Sequence, residues 1–156
     1  MAIDIVKGNH VKSFPNKIAS MLGAGTHVYN IELQANTDNG ALAGRGAYVH
    51  YDQYEQDTPS NSWAGVIRDI HADGTYEVET TALPAGEEVL YIYNAPVSEY
   101  GERDLQDESL FYNKAGEVAQ GAVLSLGDVF TISANGFNGT PAVGAAVTFA
   151  NGKYVI

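Results

Sequence analysis

Asp73-Gly74 stands between two strand-like runs, Trp63 to Ile70 and Thr75 to Thr80, and this junction constrains the fold more than any other short stretch. Successive side chains of a strand point to opposite faces, so the alternation of Thr75-Tyr76-Glu77-Val78-Glu79-Thr80 marks a strand with one buried face. An Asp-Gly pair between such runs predicts a tight hairpin, because both central turn positions need positive φ.

The same grammar recurs along the chain. Tyr29, Ile31 and Leu33 share one face of a predicted strand, and Asn30, Glu32 and Gln34 share the other. Asn36 to Gly40 reads as a turn, and Ala41 to Tyr51 as a second extended stretch. Gly44 and Gly46 within it predict a bulge or the close approach of another backbone. Asp52 to Ser62 reads as a polar loop. Pro84-Ala85-Gly86 turns into Val89-Leu90-Tyr91-Ile92-Tyr93, which is apolar on both faces and so predicts a central strand covered on both sides. Further strands are predicted at Ala122 to Leu126, Val129 to Ser133 and Ala145 to Ala150, and Asn151-Gly152 predicts a closing hairpin into Lys153 to Ile156. About eight strands at roughly ten-residue spacing predict an all-β domain, an antiparallel sandwich or barrel. Pro15 at a first-turn position, with Ile18, Met21 and Leu22 on one face, predicts a short helix to Leu22. The expected organisation is an extended arm over residues 1–25, one β-domain over 26–156, and at most one or two short helices.

Charge separates these two parts. The chain carries a formal −11; residues 1–25 hold Lys7, Lys12 and Lys17 against Asp4, a net +2, which leaves −13 on the rest. Such a body repels a nucleic-acid backbone, whose affinity for proteins comes from Lys and Arg displacing counterions. A basic arm ahead of an acidic body suits contact with an acidic partner or a neighbouring copy. The absence of cysteine excludes disulfides, thiolate catalysis and Cys-based zinc sites. Met1 to Leu22 lacks the pattern of a secretory signal, and no window approaches the 18 or so apolar residues that a spanning helix requires.

Enzyme motifs are not found. Gly-x-Ser-x-Gly, the phosphate-cradling Gly-x-x-x-x-Gly-Lys-Ser/Thr loop and His-Glu-x-x-His do not occur. Gly44-Arg45-Gly46 lacks a third glycine and reads as a strand irregularity. His50-Tyr51-Asp52 and His71-Ala72-Asp73 would each put an imidazole and a carboxylate on one strand face, but one borders a loop and the other runs into the Asp-Gly turn. The acidic stretch Glu99 to Glu108 lacks the spacing and glycine of a calcium loop and reads as a solvated loop. Trp63, Tyr51 and Tyr54 flank a polar loop, an arrangement that also suits an aromatic platform for a sugar. No catalytic, cofactor-binding or metal-ligating residue is assigned, and the expectation is a protein that is not an enzyme.

Several stretches carry a resemblance. They are Asn39-Gly40 before a glycine-rich strand, Val89-Leu90-Tyr91 leading to Ala95-Pro96, Leu110-Phe111-Tyr112-Asn113-Lys114-Ala115-Gly116-Glu117-Val118-Ala119, and Leu124-Ser125-Leu126-Gly127-Asp128-Val129-Phe130. In this order they resemble small β-rich virion proteins of tailed bacteriophages, of the capsid decoration or cement type. The chain departs from that pattern at Gln120-Gly121, where an arginine would be expected after the Ala-Gly element. The resemblance implies a non-enzymatic structural protein that binds the assembled shell. Its implied partners are the major capsid protein and neighbouring copies of itself, without direct nucleic-acid or membrane contact. It would be oligomeric in the virion, which assembles in the host cytoplasm. The residues expected to touch shell or neighbour are Lys7, Lys12, Phe14, Lys17 and Trp63. The alternative is a carbohydrate- or host-surface-binding β-module of a fibre or spike.

Overall fold

A computed structural model of the chain describes residues 11, 13–19, 28–51, 53–58, 63–72, 74–94, 112–150 and 152–156. The described residues form twelve strands: β1 Ser13–Lys17, β2 Val28–Glu32, β3 Leu42–Tyr48, β4 Gln53–Asp57, β5 Ala64–Ile70, β6 Tyr76–Ala82, β7 Leu90–Tyr93, β8 Val118–Val123, β9 Val129–Ile132, β10 Phe137–Asn138, β11 Ala146–Ala150 and β12 Lys153–Val155. One 3₁₀ turn, Ala134–Gly136, accompanies them. The all-β expectation holds, in a form that combines both architectures. β2, β4, β3, β7 and β8 close into a barrel, and a seven-stranded sheet in the order β1-β9-β6-β5-β11-β12-β10 packs beside it. Pairing is antiparallel except for β2 with β4 and β10 with β12.

The barrel is small and filled. Ile31, Leu33, Ala43, Leu90, Ile92 and Ala119 form its buried core. Five strands leave little lumen, so small residues alternate with large ones along the inward positions. At Gly121 a Cβ would lie 3.0 Å from Ile31 and 3.1 Å from Leu90. The opposite parity of the same strands faces the sheet. Leu42, Tyr91 and Ala122 join Trp63, Ile67, Val78, Phe130, Ile132, Val147, Phe149 and Tyr154 in the larger core between the two layers. Aromatic rings meet there at offset or edge-on angles, Phe149 and Tyr154 at 4.9 Å and Tyr91 and Phe130 at 5.0 Å. β7 therefore is covered on both sides, as its sequence predicts: Leu90 and Ile92 point into the barrel, Val89 and Tyr91 into the inter-layer core.

The hairpin between β5 and β6 forms, with Ile70 opposite Tyr76 and Gly74 at φ +85. Gly74 N–H closes its turn by donating to the His71 carbonyl at 2.9 Å. Asp73 lies outside the described residues, so the expected pair of central positive-φ residues is described only at Gly74. Gly44 and Gly46 satisfy both predictions made for them. The β3–β4 register shifts between Arg45 and Tyr48, and a Cβ at either glycine would fall within 3 Å of a β4-side carbonyl, that of Thr58 or of Glu55.

Three expectations are corrected. Pro15 to Lys17 are not helical; they lie in β1, paired with β9, while Ala19 within the predicted span is helical and the residues that follow it there lie outside the described residues. Proline is tolerated there because β1 is a sheet edge, where its missing N–H breaks no ladder. Thus part of the expected arm is integral to the domain, with Val11, Ser13 and Ile18 buried. Within the predicted loop Asp52 to Ser62, residues 53–57 form β4, which closes the barrel against β2 and β3. The strand predicted at Ala122 to Leu126 starts earlier, at Val118, and ends at Val123.

Candidate binding surface

The β3–β4 hairpin carries two of the three exposed aromatic side chains among the described residues, Tyr48 and Tyr51. Val49 N–H donates to the Gln53 carbonyl at 2.8 Å and Gln53 N–H to the His50 carbonyl at 2.9 Å, which fixes a tight tip. Tyr51 occupies that tip at φ 48, the positive-φ residue that is not glycine among those described. Its side chain is 84% exposed, and Tyr48 is 60% exposed. A bulky L-residue in the left-handed region costs free energy that Asn or Gly would avoid, so its presence there marks a position with another demand on it. The His50 ring packs edge-on against Tyr51 at 4.9 Å.

Behind the tip, alternation and the bulge place Tyr29 of β2, Arg45 of β3 and Tyr54 of β4 together at one end of the barrel. The Arg45 guanidinium lies 4.5 Å from the Tyr29 ring centre and 5.1 Å from that of Tyr54. It also pairs with the Glu88 carboxylate at 2.9 Å, and the Tyr29 hydroxyl donates to Glu88 at 3.3 Å. Burial, and then the Glu88 charge, raise the Tyr29 phenol above its usual 10.0. Tyr54 meets both Tyr29 and Tyr48 edge-to-face, at 5.5 and 5.4 Å with planes 78° apart. The group is a set of cation-holding ring faces rimmed by hydroxyls, with the chemistry of recognition by contact.

Of the residues expected to touch a partner, Phe14 and Lys17 lie on edge strand β1; Phe14 is 58% exposed and Lys17 is exposed. Lys7 and Lys12 lie outside the described residues. Trp63 is corrected: it is 1% exposed and packs against Phe130 and Tyr154 in the inter-layer core. A tryptophan preceding a strand between two layers has more area to gain by burial than by contact. The fold consequently does not assemble an aromatic platform from Trp63, Tyr51 and Tyr54; the two tyrosines share the hairpin and the indole does not join them. Sequence reasoning missed Arg45, Tyr48 and Glu88. A signal existed for the first two, since Arg45 and Tyr48 flank the glycine-marked bulge.

The histidines are placed differently from the His-x-Asp reading. His71 Nε2 lies 3.4 Å from Glu77 across the hairpin, while Asp52, Asp73 and the acidic stretch 99–108 are outside the described residues. Among the described residues no three His, Asp or Glu side chains are grouped to hold a metal ion.

Two of the four stretches singled out together in the sequence, those around Asn113 and Asp128, have structural work in this fold. Asn113 is buried, donates to the Thr37 carbonyl at 3.1 Å and to Asn39 at 3.0 Å, and accepts from Asn94 at 3.1 Å, tying the loop before β3 to the ends of β7 and β8. Asp128 accepts from Ser125 N–H at 2.7 Å and from Ala19 N–H at 3.2 Å, anchoring the segment after β1 to the β8–β9 turn. Comparison with protein-family models, with curated proteins and with solved structures found no match for this chain. The class that fold and surface define is an all-β barrel-and-sheet domain with an exposed aromatic hairpin.

Proposed function

We propose that this protein is a virion structural protein that acts by binding rather than catalysis, attaching to an assembled phage capsid shell as a decoration or cement protein. The observation that carries this reading is the fixed presentation of Phe14 and Lys17. β1 holds an exposed aromatic ring and an exposed cation on the edge of a seven-stranded sheet, and its neighbours lock it there. Ser13 hydrogen-bonds Tyr91, Thr131 Oγ1 donates to Asn16 at 2.6 Å, and Asp128 takes the Ala19 amide. A strand backbone fixed this way does not have to be ordered on docking, which spares that part of the entropic cost.

The resemblance of the Asn113 and Asp128 stretches to decoration proteins supports the same reading. Many identical weak contacts to a repeating shell, with the major capsid protein and sister copies as partners, give firm attachment through multivalency. Mass spectrometry of purified particles of the phage that carries this gene tests it. The chain is expected in the particles at a copy number that scales with the shell subunits. Particles devoid of the chain overturn the proposal, and binding to purified host glycans instead favours the fibre or spike module.

A further inference from the structure

We propose that Asn138-Gly139 is a site of spontaneous covalent modification, where the asparagine side chain closes on the next main-chain nitrogen and reopens with water to aspartate and isoaspartate. This chemistry is independent of the virion reading and proceeds in the purified chain.

The Gly139 nitrogen attacks Asn138 Cγ and a C–N bond forms. Nδ2 leaves as ammonia, carrying the proton that the Gly139 N–H gives up. Water then adds to one of the two carbonyl carbons of the resulting five-membered imide. Cleavage at Cγ restores the original main chain and leaves aspartate. Cleavage at the α-carbonyl carbon leaves the main chain running through Cβ and Cγ, which is isoaspartate. Glycine favours the first step because no Cβ obstructs the approach to its nitrogen. In a folded chain the step then depends on how firmly both reacting groups are held, since held groups react only through local opening.

Four Asn-Gly pairs occur in the chain, and Asn151 of the last lies outside the described residues. The other three are held very differently. Asn39 is 4% exposed; its Oδ1 accepts from Asn94 N–H and from Asn113, both at 3.0 Å, and its Nδ2 donates to the Asn94 carbonyl at 2.8 Å. The Gly40 N–H is engaged too, donating to the Ile92 carbonyl at 2.8 Å. Asn135 lies inside the 3₁₀ turn, and the Gly136 N–H donates to the Ser133 carbonyl at 3.0 Å. Gly136 is buried, and a Cβ on it would lie 2.5 Å from Ile132, so that turn is packed in place.

Asn138 and Gly139 are both exposed. Among the described residues neither the Asn138 side chain nor the Gly139 N–H makes a hydrogen bond. Asn138 ends β10, a two-residue strand at the edge of the seven-stranded sheet that pairs with β12 alone. The bond that closes this pairing, from Ile156 N–H to the Asn138 carbonyl, is long at 3.3 Å. Electrophile and nucleophile are thus both unheld, on the strand with the fewest bonds to break. Either product puts a carboxylate on the sheet edge, added to the −13 of residues 26–156. Isoaspartate also lengthens the main chain there, against the Asn138–Val155 register.

The test is incubation of the folded full-length protein in mildly alkaline buffer, followed by peptide mapping with mass spectrometry. Methyl transfer by a protein isoaspartate methyltransferase reports isoaspartate. The expected result is a gain of about 1 Da, amide to acid, in the Asn138 peptide, with methyl acceptance in the same peptide. Asn138 should react about tenfold or more faster than Asn39 and Asn135 in the folded protein, and comparably with them in guanidinium-unfolded chain. Asn138→Gln should abolish both signals, because its closure needs a six-membered ring; Gly139 is left unchanged because it sits at φ +121. The inference is overturned if Asn138 keeps its amide in the folded protein while the unfolded chain loses it. It is equally overturned if Asn39 or Asn135 reacts as fast as Asn138 in the folded protein, or if the glutamine variant still accepts methyl groups in that peptide.

Discussion

The hydroxyls of Ser13 and Tyr91 hydrogen-bond to each other in the interior although 78 residues separate them in sequence. The contact joins the outermost strand of the sheet to β7, the strand shared by both cores, so the position of Phe14 and Lys17 depends on the centre of the fold. Tyr91→Phe keeps the ring and leaves the buried Ser13 hydroxyl without this partner. We predict a loss of about 1–2 kcal/mol in denaturant unfolding, with faster hydrogen exchange in β1 than in β6.

Asn113→Ala removes three hydrogen bonds from a buried amide cluster and strands the groups that made them. The expected cost is about 2–4 kcal/mol by chemical denaturation, since each orphaned buried group costs about 1–3 kcal/mol. Binding by the fraction that remains folded should be unchanged, because Asn113 lies 2% exposed.

Tyr51→Asn is predicted to act in the opposite direction on stability. At φ 48 asparagine relieves about 1 kcal/mol of left-handed strain. For a chain of this size that raises the thermal midpoint by about 2–4 °C. A gain in stability would show that Tyr51 is not kept for folding.

Alkaline pH supplies a further prediction. Tyr154 is wholly buried, donates to the Gly40 carbonyl, and is held well above its usual 10.0 by burial and then by Tyr91. The unfolded chain releases this proton near 10.0 and the folded chain keeps it to higher pH. Stability is therefore undiminished below that pH and falls as pH rises through it toward the raised folded value. Tyr29 shifts in the same direction for the same first cause, burial, followed by Glu88. Titration by tyrosinate absorbance should show Tyr154 ionising only with unfolding, and Tyr154→Phe should flatten the alkaline loss of stability.

Much of this fold was legible in the sequence because local pattern and tertiary demand agree. β6 alternates Val78 and Thr80 inward against Glu77 and Glu79, and β7 is apolar on both faces because two cores meet across it. β4 was hidden because it presents one apolar residue, Tyr54, among Gln53, Glu55, Gln56 and Asp57. Its strand state comes from antiparallel pairing with β3 across the hairpin and from parallel pairing with β2, the latter a non-local contact with no local signature. β1 was hidden because Pro15 suits a helix start as well as a sheet edge, and only the presence of β9 decides between them. The aromatic hairpin was half visible: the polar stretch with Tyr51 and Tyr54 stood out, but which tyrosines would meet Arg45 depended on the bulge and on barrel closure. Trp63 could not be placed from sequence, since a large amphipathic ring serves a core and a contact surface equally well.

Occupancy of capsid shells tests the central claim most directly. Shells assembled from the major capsid protein alone would be sedimented with the wild-type protein and with a Phe14→Ser, Lys17→Glu variant, whose exposed substitutions leave both cores intact. Truncation should stop at residue 10, because Val11, Ser13 and Ile18 are buried and their removal would strip a strand from the sheet. The prediction is saturable wild-type binding that the variant loses by about tenfold, equivalent to about 1.4 kcal/mol per site. Shells that sediment without the wild-type protein would contradict it.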